Sequence, residues 1–108
     1  MSIDSTFKPM TATYQVDSTG AVQIKEAKDA GASSFRLRNV NAAAAYVTWG
    51  GSGVTSKGAP VLGTPSVNTI GIPIGGVVYL EVPPASFFIA SVAAPAVEIT
   101  GGEGGNGG

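Results

Sequence analysis

The sequence predicts an all-β protein: an antiparallel β-sandwich, jelly-roll-like, with about eight short strands. Val, Ile and Thr far outnumber Leu and Met, and side chains branched at Cβ suit a pleated sheet better than a helix. The chain is also punctuated at short intervals by 16 Gly and 7 Pro over 108 residues. Because Gly and Pro mark turns, this spacing favours many short strands within a single domain.

The first third of the chain predicts an arm, a hairpin and one turn of helix. Residues 1–9 are polar and irregular, with Phe7 as a candidate anchor, and the sandwich is expected over residues 10–100. Strand-like runs at 11–16 and 21–25 flank an Asp-Ser-Thr-Gly turn, so we predict that they pair as a hairpin. The next five residues, Glu-Ala-Lys-Asp-Ala, have helical composition but are too few for more than a turn of helix or a loop.

The clearest strand in the sequence is Ser34–Val40. Phe35 and Leu37 alternate with Arg36 and Arg38, so the two apolar side chains should point to one face and the two arginines to the other. This alternation predicts a strand with one face in the core and one in solvent.

Five segments in the rest of the chain are predicted as strands, around one long loop. A strand at 44–49 follows an Asn-Ala-Ala turn, and 54–65 is predicted as a loop with Lys57 near its tip. The strand at 67–72 should lie at an edge, because Pro73 limits it, whereas 77–82 is apolar on both faces and predicts a central strand. Segments 87–92 and 96–100 are expected to form the last pair, followed by the Gly-rich tail 101–108.

Composition excludes several functional classes. The chain has no Cys and no His, which removes thiolate metal sites, disulfides, zinc sites and Ser–His–Asp catalysis. The net charge of −1 lacks the basic surplus of a duplex nucleic-acid binder. Charged residues make up 12%, against about 25% in an average domain, so we expect much of the surface to face another chain. The alternative is a solvated surface of Ala, Gly, Ser and Thr.

No membrane segment is predicted. The uncharged stretch 58–80 is long enough to span a bilayer, but its three prolines and several glycines would interrupt a helix. The first ten residues lack the basic and apolar regions of a signal peptide. We therefore expect the protein to be made and kept in a cytoplasm.

Few residues offer catalytic chemistry. Glu81 and Glu98 are the remaining candidates for a paired-carboxylate glycosidase, but strand alternation favours rim or solvent-facing positions for both. Asp17 stands alone rather than in a calcium loop, and the Gly-rich run 50–53 lacks the Lys of a phosphate loop. The sequence thus predicts no enzyme activity, cofactor, metal or small-molecule substrate.

Aromatic and basic residues supply the candidates for partner contact. Arg36 and Arg38 with Tyr46 and Trp49 suggest a stacking platform for single strands or sugars, although a solvated face is the more usual role of such arginines. Trp49 should lie half in the core and half at the rim, since it directly precedes a glycine turn. The candidate contact residues are Phe7, Arg36, Arg38, Trp49 and Lys57.

Two pairs of segments resemble small structural proteins of tailed phages. They are FRLRNVN (35–41) with AYVTWG (45–50), and FIASVA (88–93) with VEITGGEG (97–104). Some proteins of this group act as capsid decoration, or cement, proteins. The resemblance implies a jelly-roll-like sandwich that self-associates and binds the outside of the virion shell where capsomers meet. We therefore expect a dimer or trimer that is made in the host cytoplasm and binds the major capsid protein on the capsid surface.

Other functions remain open at this point. A tail, fibre or adsorption component of the virion would share these features. A carbohydrate-binding module would use Trp49, Tyr46 and Arg36, and a small glycosidase would use the two carboxylates named above.

Overall fold

The computed structural model describes residues 7–104, which form two four-stranded antiparallel sheets packed on one another. The elements are β1 (Lys8–Val16), β2 (Val22–Gln23), α1 (Ala27–Ala30), β3 (Ser34–Asn39), β4 (Ala45–Gly50), β5 (Thr69–Ile72), β6 (Val77–Leu80), β7 (Phe87–Ala90) and β8 (Val97–Glu103). Sheet A has the strand order β1-β8-β3-β6 and sheet B the order β2-β7-β4-β5. These are the two sheets of an eight-stranded jelly roll, so the predicted fold class is confirmed.

The core lies between the sheets and is built by alternation along the strands. Phe35 of sheet A and Phe88 of sheet B meet across it edge-to-face, with ring centroids 5.0 Å apart. Leu37, Val47 and Ile99 are also completely buried in this core. The predicted division of β3 into an apolar and a basic face is therefore confirmed.

Two predicted strand pairs are wrong. The first two strands do not form a hairpin, because β1 pairs with β8 in sheet A and β2 with β7 in sheet B. For the same reason β7 and β8 do not pair with each other. In a jelly roll the chain crosses between sheets after most strands, so strands adjacent in sequence face one another across the core. Among the named strands, only β4 and β5 are both consecutive and hydrogen-bonded.

The predicted central strand is an edge strand instead. β6 pairs only with β3, and its exposure alternates along the strand. Val77 and Tyr79 point away from the core and remain exposed, while Val78 and Leu80 pack against it. An apolar run that fits a doubly covered strand also fits an edge strand with an uncovered outer face.

The predicted helical turn and Asp turn are both present. α1 ends at Gly31, whose φ of 74° is the left-handed conformation that glycine favours, and Ala27 anchors the turn in the core. Asp17 Oδ1 accepts hydrogen bonds from the backbone N–H and the hydroxyl of Thr19, which lower the pKa of the Asp17 carboxyl. Within residues 7–104 no helix is long and apolar enough to cross a membrane.

The strands extend beyond the boundaries expected for the sandwich. β1 already begins at Lys8, and β8 continues through Gly101 and Gly102 to Glu103. A Cβ on Gly102 would stand 2.2 Å from the carbonyl oxygen of Lys8, so only glycine allows the two strands to approach this closely. The remainder of the predicted arm and tail, residues 1–6 and 105–108, lies outside the described residues.

Candidate functional site

The outer face of sheet A carries both arginines of β3. Arg36 is paired in register with Thr100 of β8 on one side and Tyr79 of β6 on the other. Arg38 is paired with Glu98 and Val77 in the same way. Because paired residues point to the same face of a sheet, each arginine lies within a cross-strand row with different neighbours.

A shallow depression of about 440 Å³ lies over the Arg36 row. Its lining comes from all four strands of sheet A and the residue before β1: Phe7, Pro9, Thr13, Arg36, Tyr79 and Thr100. The outer face of sheet A therefore forms the base of the depression, with the Arg36 guanidinium, the threonine hydroxyl groups and the aromatic rings of Phe7 and Tyr79 around it.

Phe7 forms part of the aromatic wall. Its ring centroid lies 5.6 Å from that of Tyr79, with a tilt of 46° between the rings. The same ring lies close over Gly102, where an added Cβ would be 2.7 Å from the Cζ of Phe7. Phe7 thus contacts β8 and reaches β6 on the far side of β3, and it closes the depression at one end.

The two arginines differ in their surroundings. Arg36 is half-buried, whereas Arg38 is exposed. Across residues 7–104, the side chain of Arg36 has no ion pair and no hydrogen bond. The hydroxyls of Thr13 and Thr100 bond to each other beside it at 2.7 Å. The Arg36 site is consequently a partly covered cation whose lining contains hydroxyl groups and aromatic rings.

Trp49 and Tyr46 lie on the other sheet. Trp49 is half-buried and packs against the core, as predicted, beside a shallow pocket of about 350 Å³ that also includes Asn68, Pro83 and Ala85. Tyr46 points outward from β4, and its ring covers Gly71 of β5. The predicted platform of two arginines with these two aromatics is therefore wrong, because β3 and β4 belong to different sheets.

The long loop between β4 and β5 covers part of the outer face of sheet B. The Lys57 backbone N–H donates to the hydroxyl of Thr48, which is completely buried although it points away from the core. Lys57 itself is exposed, but the tip of the loop is elsewhere. Val61 and Thr64 exchange backbone hydrogen bonds of 3.3 and 2.9 Å, and the turn between them presents Leu62 to solvent.

The two carboxylates weighed for catalysis are far apart. Glu98 pairs with Arg38, whereas Glu81 follows Leu80, whose partner is Phe35. Along β3, Phe35 and Arg38 are three residues apart, which corresponds to about 10 Å. The two carboxylates also lie on opposite sides of β3, because β8 and β6 flank it. Glycosidase pairs need a closer approach, so the predicted pair is not brought together. No group of three or more potential metal ligands occurs in the described part of the chain.

Sequence reasoning missed several residues of these surfaces. Tyr79, Thr13 and Thr100 join Arg36 only through the register of sheet A, which links strands far apart in sequence. Leu62 was passed over in favour of Lys57 as the loop tip. The dipeptide Leu62–Gly63 was the available signal, because Gly63, with a φ of 81°, supplies the turn that exposes the leucine.

Comparison of the chain with protein-family models, with curated proteins and with solved structures gives no match.

Proposed function

We propose that this chain is a non-enzymatic structural protein of a virion that binds the outer surface of the capsid and stabilises it. The partner is the major capsid protein, and the chain itself associates as a dimer or trimer. The resemblance of residues 34–104 to small phage structural proteins first suggested this function. The surface of the sandwich supplies an independent argument.

The observation that carries the proposal is the apolar tip of the β4–β5 loop. Leu62 is fully exposed, and Val61 and Val67 are each 64% exposed. The turn that holds Leu62 is closed by backbone hydrogen bonds, so the side chain is presented from a defined structure. Burying such a side chain against a partner contributes about 1.5–3 kcal/mol, which a shell repeats at every equivalent site.

Low charge supports the same conclusion. With 12% charged residues, most of this surface can be covered by another subunit without burying unpaired charges. An uncompensated buried charge costs several kcal/mol, so surfaces meant for burial tend to avoid it. The jelly roll also occurs in viral capsid proteins, which is an argument from the fold alone because lectins share it.

The copy number of the protein in particles tests the proposal. Particles would be purified on a density gradient from lysed cells that carry the gene, and the chain counted by quantitative mass spectrometry. Hundreds of copies per particle are expected for a decoration protein. A few copies would indicate a component of the tail, a fibre or a vertex. Complete absence of the chain from particles would exclude a virion function.

A binding assay with empty shells tests the loop. Leu62→Ser should weaken co-sedimentation, because it removes the exposed leucine from a turn that Gly63 still closes. Ile74→Ser is the matched control, since Ile74 is equally apolar, is 65% exposed and lies after β5 at a different turn. Equal weakening by both variants would exclude the loop tip as the specific contact.

A carbohydrate-binding module is the second candidate, and the pocket beside Trp49 favours it. An indole next to Asn68 and Ser86 offers a sugar both a stacking surface and polar partners. A glycan array would reveal the ligand. An unchanged array signal for Trp49→Ala would exclude this pocket as the site.

A further inference from the structure

We propose that the depression around Arg36 binds a single carboxylate side chain, Asp or Glu, from a protein partner. The inference deepens the proposed function by giving the chemistry of the contact. It rests on that function only for the identity of the partner, because carboxylate recognition is a property of the site itself.

The guanidinium of Arg36 supplies the cation of the site. It carries five N–H donors, and within residues 7–104 none of them has a protein partner. The residue is only partly exposed, and its nitrogens keep contact with water, so the donors are available to a ligand. An anion that enters the depression replaces this water with charge-assisted hydrogen bonds.

Arg38 differs from Arg36 in exposure and in its neighbours, although neither side chain has an ion pair within residues 7–104. Arg38 is exposed to water and stands in register with the carboxylate of Glu98. Arg36 has the same strand, the same face and the same side chain, but its neighbours in register are a threonine and a tyrosine. Among the residues that the structure describes, no carboxylate lines the depression, and none stands in register with Arg36.

The remaining lining favours a carboxylate on a short aliphatic stem. The planar guanidinium fork matches the two oxygens of a carboxylate. The Tyr79 hydroxyl and whichever of the Thr13 and Thr100 hydroxyls accepts in their mutual bond can donate further hydrogen bonds. The tilted rings of Phe7 and Tyr79 provide an apolar wall for the methylene groups of Asp or Glu. A phosphate polymer fits poorly, because the chain has a net charge of −1.

The test is an NMR titration of the ¹⁵N-labelled full chain with two peptides. The probes are acetyl-Ser-Thr-Glu-Thr-Ser-amide and the same peptide with Gln in place of Glu. The Glu peptide should give saturable shifts at the amides of Thr13, Arg36, Tyr79 and Thr100. The Gln peptide should bind at least about tenfold more weakly, because a charge-assisted bond is lost. Absence of saturable shifts, or equal shifts with both peptides, would overturn the proposal.

Variants separate recognition from folding. Arg36→Gln should abolish the difference in affinity between the Glu and Gln peptides. Arg36→Lys should leave part of that difference, because the positive charge remains without the planar guanidinium. Arg38→Gln should leave the difference intact. If Arg36→Gln and Arg38→Gln reduced the preference for the Glu peptide equally, binding would depend on overall charge. That result would contradict a specific site at Arg36. An unchanged dispersion of amide signals confirms that each variant folds.

Two further titrations define the ligand class. Acetate should compete with the Glu peptide, and inorganic phosphate should compete no better than acetate. Stronger competition by phosphate would overturn the carboxylate assignment. If these titrations show carboxylate binding but the protein is absent from particles, the proposed function is rejected. The carboxylate site would still stand.

Discussion

On the outer face of sheet B, Thr48 and the large side chain of Ile89 are buried although both point away from the core. On the outer face of sheet A only small residues such as Ser34 and Thr100 are buried, whereas Arg38 and Tyr79 remain in solvent. Both faces are formed by alternate residues of antiparallel strands. The difference is that the loop 51–68 between β4 and β5 folds back onto sheet B. Alternation along a strand decides which way a side chain points, but a separate segment of chain decides whether the outward side chain is covered.

The comparison also separates two kinds of surface. The covering loop converts one sheet face into a second, smaller buried layer and carries its own exposed apolar tip. The bare face keeps a cation, hydroxyl groups and aromatic rings accessible. The first contact proposed above is apolar and the second is ionic, so salt should weaken only the second.

The largest expected effect comes from truncating one outward side chain on each face. Ile89→Ala should destabilise the fold by about 2–4 kcal/mol, because Ile89 is only 7% exposed and its removal leaves a cavity on the outer side of sheet B. Tyr79→Ala should cost less, about 1–2 kcal/mol, because the ring is 37% exposed and loses mainly its contact with Phe7. Urea unfolding measures both free energies, and equal losses would contradict the difference in burial between the two faces.

A smaller effect is expected where β1 meets β8. Gly102→Ala should cost about 1–3 kcal/mol, since the new Cβ meets the Lys8 carbonyl and the Phe7 ring and forces the strands apart. Gly51→Ala is the control and should stay within about 0.5 kcal/mol, because nothing lies within 4 Å of its Cβ position. Thermal unfolding would show the difference. A neutral Gly102→Ala would contradict the close approach that walls the Arg36 depression.

The smallest effect compares the two threonine pairs. Thr48 and Thr69 bond through their hydroxyls at 3.0 Å beside the loop. Thr13 and Thr100 bond at 2.7 Å on the other sheet, where Thr100 is buried but Thr13 is exposed. Thr48→Val should cost about 1 kcal/mol, because the Lys57 N–H also loses its acceptor, whereas Thr100→Val should stay within about 0.5 kcal/mol since Thr13 is solvated. Chemical denaturation resolves the two, and the reverse order would contradict the assignment of covered and open faces.

Truncations of the two ends should not remove residues of β1 or β8. From the sequence, removal of residues 1–9 or 101–108 should weaken docking and leave folding intact. In the structure Lys8 and Pro9 pair with Glu103 and Gly102, so either deletion also removes part of sheet A. Removal of residues 1–6 or 105–108 is the version that leaves every described strand whole.

Local patterns predicted the strands better than their partners. The alternation from Phe35 to Arg38 correctly indicated strand direction and face, and the composition around Gly31 and Asp17 correctly indicated a helical turn and an Asp turn. Each of these depends on side chains within a few residues of one another. Pairing depends on which segments meet after collapse, so the expected hairpin and the expected final pair both failed.

The candidate site shows the same limit. Arg36 was identified because charge on a regular strand is visible in sequence, and Phe7 because an aromatic residue in a polar segment is unusual. Tyr79 was read as part of a doubly buried strand. Its place beside Arg36 follows from the register between β3 and β6, two strands separated by more than thirty residues, for which no local pattern gives a signal.

The sequence by itself determined the class of this protein: β-branched residues, frequent Gly and Pro, and two-residue alternation leave an antiparallel sandwich as the economical way to bury one face of each strand. The tertiary structure alone decided that sequence neighbours lie in opposite sheets, that one outer face is covered, and that Arg36 lacks an anionic neighbour. The physical reason is the distance along the chain between the residues that interact. Side-chain direction is set by backbone geometry over adjacent residues, whereas coverage and charge pairing are set by contacts between segments distant along the chain.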